Sequence, residues 1–174
     1  MSQSKELLII TASNGENLKL ANRFLIASQA KDINSYLLDL TTLDLPLYNP
    51  RFHSEEGIPK TINELNELIT NIPRWIICAP EYNGSIPPIL TSFIAWLSVQ
   101  GDDFRYLFNG RPIAMASFSG GGGMELLLSL RIQLTHLGAQ VVGRQLMSNY
   151  QKPATDETIS DLINRLMQMN HLKV

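Results

Sequence analysis

The stretch Trp75-Ile76-Ile77-Cys78-Ala79-Pro80-Glu81-Tyr82-Asn83-Gly84-Ser85-Ile86-Pro87-Pro88 decides how the chain is read. It opens as an unbroken apolar run of strand length, turns abruptly polar through an Asn-Gly pair, and enters a proline-started apolar segment. A buried strand, a polar loop and a helix in that order make a ligand loop at the carboxyl end of a parallel sheet. The helix behind the loop carries Ile86, Ile89 or Leu90, Phe93 and Leu97 as its apolar stripe.

The same unit recurs in both directions. Residues 7–10 are an apolar run, followed by Leu18, Ala21, Leu25 and Ser28 at helical spacing. Residues 35–40 read as a strand, 41–59 as an irregular proline-containing stretch, and Ile58, Ile62, Leu65 and Ile69 as the next helix. Downstream, 112–117 read as a strand, and Leu127, Leu130, Leu134 and Leu137 as a helix closed by Gly138 at a left-handed cap. Residues 141–147 read as a fifth strand, and Ile159, Leu162, Ile163 and Leu166 as a final helix.

Five strands alternating with five helices predict an α/β fold: a parallel sheet covered by helices on both faces, joined by right-handed crossovers. A chain of this size fits the flavodoxin-like strand order 2-1-3-4-5 better than the six-stranded dinucleotide fold. In that order the switch point lies between strands 1 and 3. The loops 11–17, 80–85 and 117–123 then converge, and one ligand can touch all three.

The 174 residues suit a single domain spanning 1–174, with 44% hydrophobic residues and a net charge of −2. That balance argues against disorder and gives no electrostatic footprint for nucleic acid. Cys78 stands alone, so no internal disulfide forms. The N-terminus lacks the basic-then-apolar layout of a signal peptide, and no apolar stretch approaches the roughly 20 residues of a membrane span, so the expected location is the cytoplasm.

Each loop has a ligand reading and a plain structural one. In the first, Ser13, Asn14, Gly15, Glu16 and Asn17 precede a helix whose free N–H groups and dipole suit a phosphate; Ser13, Asn14 and Asn17 are equally good helix caps. In the second, Glu81, Tyr82, Asn83 and Gly84 offer backbone groups, a close-approaching glycine and an aromatic wall to a flat ring. The alternative is an ordinary turn cornered on Asn83-Gly84. In the third, Ser117, Ser119, Gly120 and Gly121 belong to a glycine run that admits a cofactor to the backbone or simply connects. Glu125 breaks the dinucleotide fingerprint there. His53, His136 and His171 form no metal-ligand spacing, no nucleophile elbow surrounds Ser85 or Ser119, and Glu81 has no partner to tune it as a base, so neither a metal nor a catalytic side chain is assigned.

The string Pro80-Glu81-Tyr82-Asn83-Gly84-Ser85-Ile86-Pro87, with Leu90 and Trp96-Leu97-Ser98, closely resembles the NAD(P)H-dependent FMN reductases, flavodoxin-like enzymes that include quinone and azo-dye reductases. Weaker echoes are Leu45-Pro46-Leu47-Tyr48, Asn17 with Leu20-Ala21, Ser117 with its glycines, and Leu130-Arg131 with Leu137-Gly138-Ala139. The resemblance implies FMN with its phosphate at 13–18 (Ser13 to Leu18), its isoalloxazine at 80–84 (Pro80 to Gly84), and its remaining edge at 117–121. It implies NADPH or NADH as donor, a flavin, quinone or azo compound as acceptor, and a homodimer or homotetramer. Phe93, Trp96, Phe104, Tyr106 and Phe108 are candidates for that subunit contact.

The chain departs from the usual family pattern. Its first loop is short and has no arginine, and Glu16 would stand near a dianion unless turned to solvent. Pro88, Thr91 and Ala95 replace a common glycine, lysine and aspartate. Two alternatives therefore accompany the reductase reading: a flavodoxin-like electron carrier, and a flavin-free binding protein of the same fold.

Overall fold

The computed structural model describes residues 5–172. Four apolar residues and a threonine form β1 (Leu7–Thr11), all of them buried, and β3 (Arg74–Cys78) runs beside it with four of its five buried. Strands apolar on both sides belong in the middle of a parallel sheet. β2 (Ser35–Asp39) flanks β1, and β4 (Pro112–Phe118) flanks β3. The order is β2-β1-β3-β4-β5, every pairing is parallel, and the expected flavodoxin-like arrangement is observed.

Alternation along the strands sorts the core into two layers. Leu7, Ile9, Ile76, Cys78, Ala114 and Ala116 pack beneath α1 (Glu16–Gln29) and α6 (Asp156–Met167). Leu8, Ile10, Trp75, Ile77, Ile113 and Met115 pack beneath α3 (Lys60–Thr70), α4 (Pro88–Ser98) and α5 (Met124–His136). Each fully buried Leu, Ile or Met side chain among them is worth roughly 1.5–3 kcal/mol over leaving it exposed.

Three details differ from the sequence reading. The stretch 41–59 is not wholly irregular: α2 (Pro50–Glu56) forms there, with Pro50 at its first position and the Asn49 side chain accepting from the N–H groups of Arg51 and Phe52. No α2 residue is fully buried, so no periodic apolar signal marks it. Phe52 and His53, with Tyr48, pack instead around the Trp96 ring, whose indole N–H donates to the Pro46 carbonyl at 2.8 Å. On α1 the buried face is Asn17, Leu20, Ala21, Phe24 and Ser28, with Leu18 and Leu25 half-buried beside it.

The expected fifth strand, 141–147, is two short pieces, β5 (Gln140–Val141) and β6 (Leu146–Ser148), both paired with β4. The chain leaves the sheet between them, and Arg131 on α5 holds the detour, donating to the carbonyls of Val142 at 2.9 Å and Gly143 at 3.4 Å and to the Gln145 side chain at 3.1 Å.

Arg111, just ahead of β4 and 1% exposed, holds the opposite end of the sheet. Its guanidinium donates to the carbonyls of Leu107, Ile69, Ile72 and Thr70 and stacks 4.4 Å above the Trp75 ring. A cation at the carboxyl end of α3 complements the helix dipole. Burial nevertheless lowers its pKa to about 10.

Candidate functional site

At the carboxyl ends of β1, β3 and β4 the three polar loops meet around a cavity of about 350 Å3. It is lined by Ser13, Asn14, Gly15, Glu16 and Asn17 from the first loop, Pro80, Glu81 and Tyr82 from the second, and Ser119 and Gly120 from the third. Phe118 and Tyr150 complete the wall. Leu18, Asn83, Gly84, Ser117 and Gly121 are not on this lining.

The first loop presents an uncapped helix. Gly15 is the N-cap residue of α1, and no side chain accepts from the first-turn N–H groups. Asn17, 2% exposed, does not cap: its amide donates to the Phe118 carbonyl and accepts from the Phe118 N–H, both at 2.8 Å. This two-way clasp fixes the start of α1 against the end of β4 across the switch point. The Glu16 carboxylate is turned to Lys19 at 2.7 Å, an ion pair one helical turn long that raises the exposed Lys19 pKa through its hydrogen bond. The loop's one acid is thereby matched by a cation that the loop itself lacks.

The second loop is a tight turn. Tyr82 and Ser85 exchange backbone hydrogen bonds at 3.1 and 3.0 Å, and Asn83 and Gly84 between them both have positive φ, 52° and 67°. That is the type I′ pattern for which Asn-Gly is the preferred pair. A Cβ on Gly84 would meet nothing within 4 Å, so glycine is required there by the backbone and not by a neighbour. Glu81 serves structure: its N–H donates to Ser119 Oγ at 2.6 Å, and its carboxylate accepts from the Leu126 N–H at 3.3 Å, in the first turn of α5.

In the third loop, Ser117 is buried, with its hydroxyl 3.2 Å from that of Ser119, and Ser148 on β6 donates to the Ser117 carbonyl at 2.9 Å. Gly120 and Gly121 stand open, whereas Gly123 is locked: its φ is +78°, and a Cβ there would fall 2.8 Å from Ser117 Cβ. Gly123→Ala is therefore expected to cost about 1–3 kcal/mol in urea unfolding, and Gly120→Ala close to nothing.

Two wall residues were not among the site residues read from the sequence, although Phe118 lies within the third loop. Phe118 ends β4, and Tyr150, 78% exposed, stands edge-on to it at 4.9 Å. Tyr150 rides on a turn in which Asn149 Oδ1 accepts from the N–H groups of Gln151 and Lys152. Its signal was positional: it follows the last strand at the carboxyl end of the sheet.

Of the aromatics considered for a subunit contact, Phe93, Trp96 and Phe108 are buried inside the protomer, while Phe104 and Tyr106 are exposed. His53, His136 and His171 contact Trp96, Phe104 and the Asn109 carbonyl respectively, in separate places. Among the described residues no group of three or more His, Cys, Asp or Glu is placed to hold a metal, and no helix is long and apolar enough to cross a membrane. Cys78 is buried, and burial pushes its thiol pKa well up.

Comparison with known proteins follows the same lines. The family profile described as NADPH-dependent FMN reductase matches residues 6–153. A quinone reductase of Escherichia coli K12 is 34% identical over 123 residues, which cover 67% of this chain and 64% of that protein, a little under two thirds of its length. The FMN-dependent NADH:quinone oxidoreductase 1 of Bacillus subtilis is 27% identical over 157 residues, covering 74% of this chain and 75% of its own. Among solved structures, the flavoenzyme NAD(P)H:(acceptor) oxidoreductase of Paracoccus denitrificans superposes with a TM-score of 0.75 over 95% of this chain and 99% of that one, at 19% identity, and so shares the fold.

Proposed function

Because the chain belongs to the NADPH-dependent FMN reductase family, we propose that it is an FMN-containing oxidoreductase that takes a hydride from NAD(P)H and passes electrons to a small acceptor, a quinone foremost. The observation that carries this reading is the uncapped start of α1 meeting the loops after β3 and β4 around one cavity. A volume of about 350 Å3 falls in the range of small-molecule pockets, about 300–1,000 Å3.

The residues fit the group. Gly15, Glu16 and Asn17 would offer first-turn N–H groups and the positive end of the helix dipole to the phosphate. Asn17 contributes only its backbone, since its amide is committed to Phe118. Pro80, Glu81 and Tyr82 would border the ring, with Tyr82 and Tyr150 as aromatic walls. FMN supplies the hydride-accepting chemistry when bound, and the protein supplies placement. The quinone acceptor is drawn from the names of the Escherichia coli and Bacillus subtilis relatives.

The test is the visible spectrum of the protein after incubation with FMN and desalting, followed by anaerobic NADPH or NADH. A retained flavin band that bleaches is expected. A retained band that stays oxidised would indicate an electron carrier, and a colourless protein a flavin-free one. Gly120→Asp checks the site: the position is open enough for a side chain, so the fold should persist while the added carboxylate weakens FMN retention by about tenfold or more, ~1.4 kcal/mol per decade. Unchanged retention would remove the third loop from the site.

A further inference from the structure

A second cavity, about 520 Å3, lies between β6, α6 and the start of α5. Its apolar surface is wholly aliphatic: Leu146 on β6, Leu162 on α6, Met124 at the first position of α5, and Met147, Pro153 and Ala154. No aromatic ring lines it, whereas the first cavity has Tyr82, Phe118 and Tyr150. A flat ligand therefore finds no face to stack on. Met124 and Met147 are each 41% exposed, and their unbranched thioethers adapt to a flexible chain.

The charge on the lining is of one sign: Arg144 and Lys152 are there, and no Asp or Glu is. Among the described residues Lys152 makes no ion pair. Its backbone N–H donates to Asn149 Oδ1 at 2.7 Å, which sets the turn that carries it. Arg144 meets Asp161 at 3.0 Å, but Asp161 also takes Arg165 at 2.8 Å, so one carboxylate faces two guanidiniums. Asp156, beside the α6 cap, is committed to Arg23 at 2.6 Å. Arg131 holds the segment leading to Arg144 through the carbonyls of Val142 and Gly143. An aliphatic pocket with a cationic rim complements a molecule that has one anionic head and an apolar tail.

We propose that this cavity binds a medium-chain aliphatic carboxylate, with its head between Arg144 and Lys152 and its tail on Leu146, Leu162, Met124 and Met147. Burial of the tail supplies most of the affinity, and the cations select the head. A single negative charge suffices, because Asp161 already offsets part of the arginine charge. The site stands apart from the flavin reading: it shares no lining residue with the first cavity and needs neither cofactor nor electron donor.

The experiment is a calorimetric titration of the protein with octanoate and with 1-octanol, which carry the same chain length and differ in charge. It is repeated on Lys152→Glu and on Met124→Asp. Lys152 is exposed, and an acid in the first turn of a helix favours it, so both variants should fold, as their thermal unfolding will verify. Octanoate should bind about fivefold more tightly than 1-octanol. Lys152→Glu should erase that preference and leave the 1-octanol affinity as it was, while Met124→Asp should weaken both ligands. Absence of octanoate binding, equal affinity for the two ligands in the unsubstituted protein, or octanoate affinity unchanged in either folded variant would overturn the assignment. Failure of the reductase reading would register separately, as absence of flavin bleaching, and leaves this titration untouched.

Discussion

Asn17→Asp is expected to destabilise the protein by about 3 kcal/mol at pH 8 and to regain roughly half of that loss near pH 5. The change keeps the shape of the side chain and the bond it accepts from the Phe118 N–H, but sets a carboxylate oxygen against the Phe118 carbonyl, where the amide now donates at 2.8 Å. The position is 2% exposed, so water does not relieve the contact. Protonation does, because the acid form donates as the amide does. The carboxyl would therefore titrate higher in the folded state than in the unfolded one, and folding would take up a proton. The variant's deficit is then smallest below the unfolded pKa, about 3.9, and grows as pH rises through the raised folded value. Urea unfolding of both proteins at pH 5 and 8 reads the difference. A pH-independent deficit would mean that the clasp does not depend on the amide donating to Phe118. FMN retention at pH 8 should fall too, since the new charge lies under the first turn of α1.

Arg111→Ala is expected to cost roughly 3–5 kcal/mol, lowering the melting temperature by on the order of 10 °C for a chain of this size. The loss has two sources: a cavity above the Trp75 ring, and the carbonyls of Ile69, Thr70, Ile72 and Leu107 left without their donor. Arg111→Met separates them by refilling the space without the donors, and should recover part of the stability. Because the residue stands at the amino end of β4 and the cavities at the carboxyl ends, FMN affinity of the folded variant should be unchanged. A melting temperature within a degree or two of the parent would show that burying the cation offsets its hydrogen bonds.

Sequence alone exposed the sheet, its order and the meeting of the three loops, because those follow from short patterns: continuous apolar strands, helical stripes and turn residues. What it hid depends on long-range contact. Asn17 reads as a cap from its neighbours, yet its partner is Phe118, 101 positions away. Glu81 reads as a loose acid, yet it receives the Leu126 N–H of another helix. Arg111 looks like a surface cation, since burial of such a group requires a ring of carbonyls assembled from a distant helix end and the loop before it. α2 escaped notice because it is held by contacts with Trp96 rather than by a buried stripe. Tyr150 was passed over for a simpler reason: only the loops after strands 1, 3 and 4 were expected to meet, and it lies on the turn after the last strand.

That divided strand bears on behaviour at high concentration. A parallel sheet that ends in a long straight strand offers a ladder of free peptide groups on which another molecule can add a strand, the first step towards aggregation. Here the border past β4 consists of two residues in β5 and three in β6, separated by a detour that carries an exposed glycine and arginine. Neither piece is long enough to template an intermolecular sheet, so the interruption keeps this border from acting as a seed.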